Sequence, residues 1–185
     1  MKLISSIILA VVILLTSLNI VDLPWELRFA DAKNNYFVVM LLAISLPLSA
    51  FLFSLCRETK SIRTTGLFIS VFLVFPCFIV AMFASWDYER IKAEGVDYSF
   101  EEINRLKFNN SNYVLYRTNG GATTSYSLVL RLEKKLGFGL NLVNVIYSKY
   151  KASESTLEFI DNNQIKMQIQ PYDKHDEVEV VLLSL

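Results

Sequence analysis

Three apolar stretches, at 3–21, 36–56 and 65–86, fill the first half of the chain, and none contains Asp, Glu, Lys, Arg or His. A bilayer core about 30 Å thick is crossed by about 20 apolar residues of helix, and each stretch has that length. Core helices of soluble proteins carry a polar face, which these stretches lack. The pattern predicts three transmembrane helices. Beyond residue 86 the chain reads differently. Ser99 followed by Glu102 has capping-box spacing, and Ile103 and Leu106 fall on one face, which predicts a short helix ending near Lys107. From Tyr113 onward the period shortens to two. Leu128, Leu130 and Leu132 alternate with Val129, Arg131 and Glu133, and Ile165, Met167 and Ile169 with Lys166, Gln168 and Gln170. Strands are expected at 113–118, 126–132, 142–150, 156–160, 164–169 and 178–183. Asn119-Gly120-Gly121, Gly137 with Gly139, Asp161-Asn162-Asn163 and 171–176 supply the turns.

The expected fold class is therefore membrane α plus soluble mainly-β. Three transmembrane helices (domain 1–86) precede a small antiparallel β-sheet or sandwich (domain 87–185) that one short helix introduces.

Charge between the apolar stretches orients them. Arg57, Lys60 and Arg63 stand against Glu58 alone in the second loop, whereas the first holds Asp22, Glu26 and Asp31 against Arg28 and Lys33. Lys and Arg in short loops mark the cytoplasmic side. The second loop and Lys2 are then inside, and three crossings deliver 87–185 to the extracytoplasmic side. The first stretch could instead be a cleaved signal peptide, but it exceeds the usual 7 to 15 apolar residues. The nearest small-x-small site, Ala30-Asp31-Ala32, also lies far beyond its end. Trp25, Trp86 and Tyr88 sit where aromatic rings favour the headgroup level. Pro47 and Pro76 lie inside the second and third stretches as expected kinks. Ser45 with Ser49, Gly66 with Ser70, and Ala81 with Ser85 are small residues at four-residue spacing, suited to close helix packing or an oligomer. With no ionisable group inside the spans, conduction and pumping are disfavoured.

The last 99 residues hold 14 acidic and 12 basic side chains, so no basic excess points to nucleic acid. Both cysteines, Cys56 and Cys77, belong to the apolar half and read as small fillers, leaving the second half without disulfide or thiolate metal site. The sole histidine, His175, lies between Asp173 and Asp176 in a polar turn, with no second His or Cys near it to complete a metal set. Glu101 and Glu102 are adjacent, so on a helix they diverge and make a poor acid–base pair. We expect no cofactor, no metal and no enzymatic activity. The segment 116–125 stands apart, dense in Gly and hydroxyl residues. Its Asn119, Gly120, Gly121, Thr123 and Thr124 could present a nest of backbone N–H donors to an anion, polar ligand or partner. The alternative is a wide hairpin connection whose hydroxyls bond their own backbone.

The order of strand, Asn119-Gly120-Gly121-Ala122-Thr123-Thr124-Ser125, strand, then Leu157-Glu158-Phe159-Ile160-Asp161-Asn162-Asn163 and a final strand resembles a group of small bacterial envelope β-domains of unknown function. Those domains are carried on lipoproteins or membrane helices. The resemblance covers about 110–169 and departs at Ile160, where the group often has Trp. It implies a bacterial envelope location and no reaction. The expectation is a multi-pass bacterial inner-membrane protein, N-terminus cytoplasmic, whose extracytoplasmic domain binds a protein or envelope partner. One specific form is an immunity protein against a membrane- or periplasm-acting toxin. The rival is an accessory or sensor subunit of a larger membrane complex.

Overall fold

The computed structural model describes residues 1–21, 23–109, 111–119, 124–161, 164–173 and 177–184. Its contacts divide the chain into a helical unit, Met1–Leu23 with Asp31–Gly95, and a β unit, Pro24–Ala30 with Val96–Leu185.

The helical unit contains α1 (Lys2–Ile20), α2 (Ala32–Leu55) and α3 (Lys60–Glu94), all long and apolar enough to cross a membrane. At 1.5 Å per residue the 35 residues of α3 reach about 52 Å, well beyond an apolar bilayer core. Its last two turns are polar and carry the ion pairs Arg90–Glu94 (3.6 Å) and Lys92–Glu89 (3.7 Å). Gly95 then ends it in the left-handed conformation, φ 74°, its N–H donating to Ile91 O at 2.8 Å. Asp31 caps α2 by accepting the Lys33 N–H. The hydroxyls within the helices turn back on their own backbone: Thr16 donates to Val12 O, Ser49 to Leu46 O, Ser54 to Ala50 O and Ser70 to Leu67 O. Each of these donors is thereby satisfied locally.

Packing of α2 on α3 is tightest where Gly66 meets Ser54. Ser54 is fully buried, and a Cβ built on Gly66 would lie 2.1 Å from its Oγ. Ser49 and Ser70 are buried too, as their spacing suggests. On the C-terminal half of α3 the buried small residue is Ala84 rather than the spaced pair Ala81 and Ser85.

In the β unit, a five-stranded antiparallel sheet runs β1-β5-β4-β3-β2 and a three-stranded one β6-β7-β8. The strands are β1 (Glu26–Phe29), β2 (Phe100–Phe108), β3 (Ser111–Asn119), β4 (Tyr126–Gly137), β5 (Leu140–Tyr150), β6 (Ser155–Asp161), β7 (Gln164–Ile169) and β8 (Glu179–Ser184). Tyr113, Leu115, Leu128 and Leu130 from the larger sheet and Leu157, Ile165, Met167 and Ile169 from the smaller form one shared hydrophobic core. The period-two alternation from β3 to β7 is the cause: each buried residue is flanked by one that points away.

Two elements differ from the sequence reading. The short helix expected at 99–107 is the strand β2. Ser99 N–H is taken by Asp97 Oδ1 at 3.0 Å, and residues 100–108 pair with β3 along its length. An isolated helix of so few residues is unstable in water, whereas β3 offers a complete ladder. A bulge between Glu102 and Asn104 then brings Ile103, Leu106 and Phe108 all against the core, a spacing that alternation alone would not give. The second difference is β1. Residues 26–29 lie in the loop between the first two apolar stretches, yet they form an edge strand on β5 in the register Glu26↔Val143 to Phe29↔Leu140.

Candidate functional site

The sequence singled out Asn119, Gly120, Gly121, Thr123 and Thr124. Gly120, Gly121 and Thr123 lie outside the described residues, as do Asn162, Asn163 and His175. Asn119 ends β3 opposite Tyr126, and its N–H donates to Ser99 O at 3.3 Å. Thr124 is exposed just ahead of β4. The base of this connection is well held. Arg117 Nε and Nη2 both donate to Glu101 Oε2, at 3.1 and 2.6 Å, and the guanidinium carbon lies 5.3 Å from the Tyr126 ring centre. Thr118 Oγ1 donates to Ser127 O. Ser125 N–H donates to Tyr150 Oη at 3.4 Å, and hydrogen bonding from the Ser125 side chain, then from this amide, lowers the pKa of that phenol. A ligand seated here would meet an Arg already neutralised by Glu101.

The face of the larger sheet turned away from the core carries a second constellation that the sequence did not reveal. Tyr116 Oη donates to Glu133 Oε1 at 2.7 Å, and Asn141 Nδ2 to Glu133 Oε2 at 3.4 Å. The Arg131 guanidinium carbon sits 4.2 Å from the Phe100 ring centre and 5.3 Å from that of Tyr116, a cation held between two aromatic faces. Its Nε is buried without a hydrogen-bond partner among the described residues. Arg105 binds Glu102 through two hydrogen bonds, at 2.7 and 2.5 Å, and Arg28 donates to Glu26 at 2.8 Å. Beneath these groups Val114 is completely buried and Val143 nearly so.

Electrostatics follow from that burial. Loss of solvent raises the Tyr116 phenol above its ordinary value, and the facing Glu133 carboxylate raises it further. Burial lowers the Arg131 guanidinium. Each acid on this face has its own donor, so the constellation is a charge-balanced cover over two valines in which Arg131 Nε alone of the named groups lacks a partner among the described residues. Its signal in the sequence was Tyr116, Arg131 and Glu133 at alternate strand positions. Only the register, with Tyr116 opposite Glu102 and Val129, shows that they converge.

Among the described residues no three His, Cys, Asp or Glu side chains gather closely enough to hold a metal ion. Within the helical unit, Lys2 pairs with Glu58 at 2.5 Å and Arg57 Nη2 donates to Ser6 Oγ at 2.6 Å. The start of α1 and the α2–α3 connection therefore lie at one end. The third surface of note is β8, the edge of the smaller sheet. Val180 and Leu182 are 51% and 59% exposed on the side away from the core, with Val178 exposed beside them. Comparison with known proteins found no matching family model, no matching curated protein and no matching solved structure.

Proposed function

We propose that this is a non-enzymatic bacterial inner-membrane protein whose extracytoplasmic β domain recruits a protein or envelope partner by strand addition at β8. The exposed apolar edge is the observation that carries the reading. Proteins that stay monomeric blunt such edges with charge, proline or a covering loop. Here an edge strand reads Glu-Val-Val-Leu-Leu-Ser and, among the described residues, pairs with β7 alone, which leaves its other side for a partner strand. Immunity against a toxin arriving from outside the cell is the specific form that suits a small binding domain tethered at the membrane.

Orientation in this reading rests on two supports. Basic Arg57, Lys60 and Arg63 favour the cytoplasm. The pairing of β1 with β5 also requires the α1–α2 connection and the β domain to share one side, which three crossings provide. The rival role, a sensor subunit, draws on that same pairing, because a change in the sheet would pull directly on the segment between α1 and α2.

A photo-crosslinking amino acid at Leu182 in living cells tests the binding reading. A discrete adduct with an envelope protein is expected, lost when Val180→Lys places a charge on the edge. No adduct at Leu182, or one that Val180→Lys leaves intact, would count against strand addition. A reporter active only outside the cytoplasm, fused after Ser184, should be active; an inactive fusion with an active one at Thr59 would invert the topology.

A further inference from the structure

The β4–β5 hairpin turns through Phe138 and Gly139, between the paired residues Gly137 and Leu140. Both turn residues have positive φ, 52° and 73°. That is the geometry of a turn which Asn-Gly or Asp-Gly fills with least strain. Phe138 is doubly out of place: the left-handed backbone strains an L residue, and its side chain is 102% exposed. Leu136 on the same tip is 56% exposed. Lys134 and Lys135 come just before them. Trp25 lies over Lys134, its ring centre 5.1 Å from Nζ.

The tip is tied to the root of α2. Phe29 pairs with Leu140, and Ala30 N–H donates to Gly139 O at 2.8 Å. The residue after Ala30 is Asp31, the N-cap of α2. From Ala30 to Tyr36, where the apolar stretch begins, the chain takes two extended steps and then one turn of helix. Covalent connection alone thus keeps Gly139 O within about 16 Å of that stretch, a reach that includes a headgroup layer about 5–8 Å thick bordering it.

We propose that the hairpin tip is an interfacial anchor, with Leu136 and Phe138 inserted among the headgroups of an anionic bilayer and Lys134 and Lys135 against lipid phosphates. The inference rests on the reading that α2 crosses the membrane. Aromatic and aliphatic side chains on a solvent-facing tip suit the interface, and the paired lysines supply the matching charge. An interfacial seat resolves both anomalies of Phe138, because its ring leaves water and the contact offsets the strained turn.

The test uses the full-length protein with Trp25 and Trp86 replaced by Phe and Phe138→Trp as its one indole. It is reconstituted into phosphatidylglycerol vesicles whose acyl chains are brominated. Emission should shift to the blue and fall by about half relative to unbrominated lipid, as expected of an indole at the acyl boundary. Ile160→Trp in the same background, also on an exposed strand position, should show neither change. Replacing Lys134 and Lys135 by Gln should weaken the quenching in phosphatidylglycerol and leave it unchanged in phosphatidylcholine. An indole at 138 reached by aqueous iodide as readily as the one at 160, or shielded from both quenchers by a protein partner, overturns the anchor. Flotation of the same vesicles separates the two readings. Protein that floats without quenching refutes the anchor alone, whereas protein that fails to float refutes the membrane reading as well.

Discussion

Gly66→Ala is a one-carbon change whose outcome can be worked from the α2–α3 contact. The added Cβ would lie 2.1 Å from Ser54 Oγ and 3.0 Å from Ser54 Cβ, against about 3.5 Å or more for an ordinary contact. Ser54 cannot simply rotate, because its hydroxyl is fully buried and donates to Ala50 O at 2.6 Å. Losing that bond would cost about 0.5–1.5 kcal/mol and would still leave the Cβ pair too close. Overpacking of this kind costs about 1–3 kcal/mol, which the better helix propensity of Ala offsets by about 1. With the lost hydrogen bond and the overpacking both counted against that gain, we expect a net loss of about 0.5–3.5 kcal/mol, or several degrees in Tm by the size scaling of soluble domains. Ser54→Gly removes both offending atoms and leaves Ser54's Cα position at 3.7 Å, an ordinary contact. The double variant should therefore be more stable than Gly66→Ala alone, with a favourable coupling of about 1 kcal/mol. Ser54→Ala, which keeps the Cβ, should rescue less. Thermal unfolding in mild detergent, read by a thiol-reactive dye on the partly buried Cys56 and Cys77, measures the wild type, each single variant and both double variants. Equal Tm for Gly66→Ala and wild type, or purely additive changes, would refute the contact.

Three further outcomes are expected. Leu130→Ala, at a fully buried position, should cost about 2–5 kcal/mol and diminish near-ultraviolet circular dichroism. Tyr116 holds its proton in the folded state beyond the pH, near 10, at which an unfolded tyrosine releases it. Stability is thus intact below pH 10 and declines above it, and Tyr116→Phe should make the decline shallower in a pH series of melting curves. Replacing 26–29 with Gly and Ser should speed hydrogen exchange at the amides of 140–143 while sparing the paired centre of β3 and β4.

The helices and the strands from β3 to β8 were legible because their information is local: uninterrupted apolar runs in one half, alternation with turn residues in the other. Where the deciding partner is distant, local reading failed. Ser99 and Glu102 carry the letters of a capping box, but β3 outcompetes a helix there, so tertiary pairing decides. Nothing within 26–29 announces a strand. Four residues beside Pro24 have no period of their own, and their partner lies more than 110 residues onward. The candidate loop was legible as a loop, and its flank Arg117–Glu101 could be found only from the register of β2 on β3. Tyr116, Arg131 and Glu133 looked like ordinary polar positions of half-buried strands. That they close over Val114 follows from side-chain length and reach, which no spacing rule encodes.

The edge formed by Glu26–Phe29 also imposes an order on biosynthesis. This strand leaves the ribosome before α2 and α3 are made, yet the strand it joins comes after both. That strand must wait, unpaired, while two more long apolar helices are synthesised. A lesion that delays helix insertion should therefore surface as a maturation defect of the distal sheet, far from the altered residue.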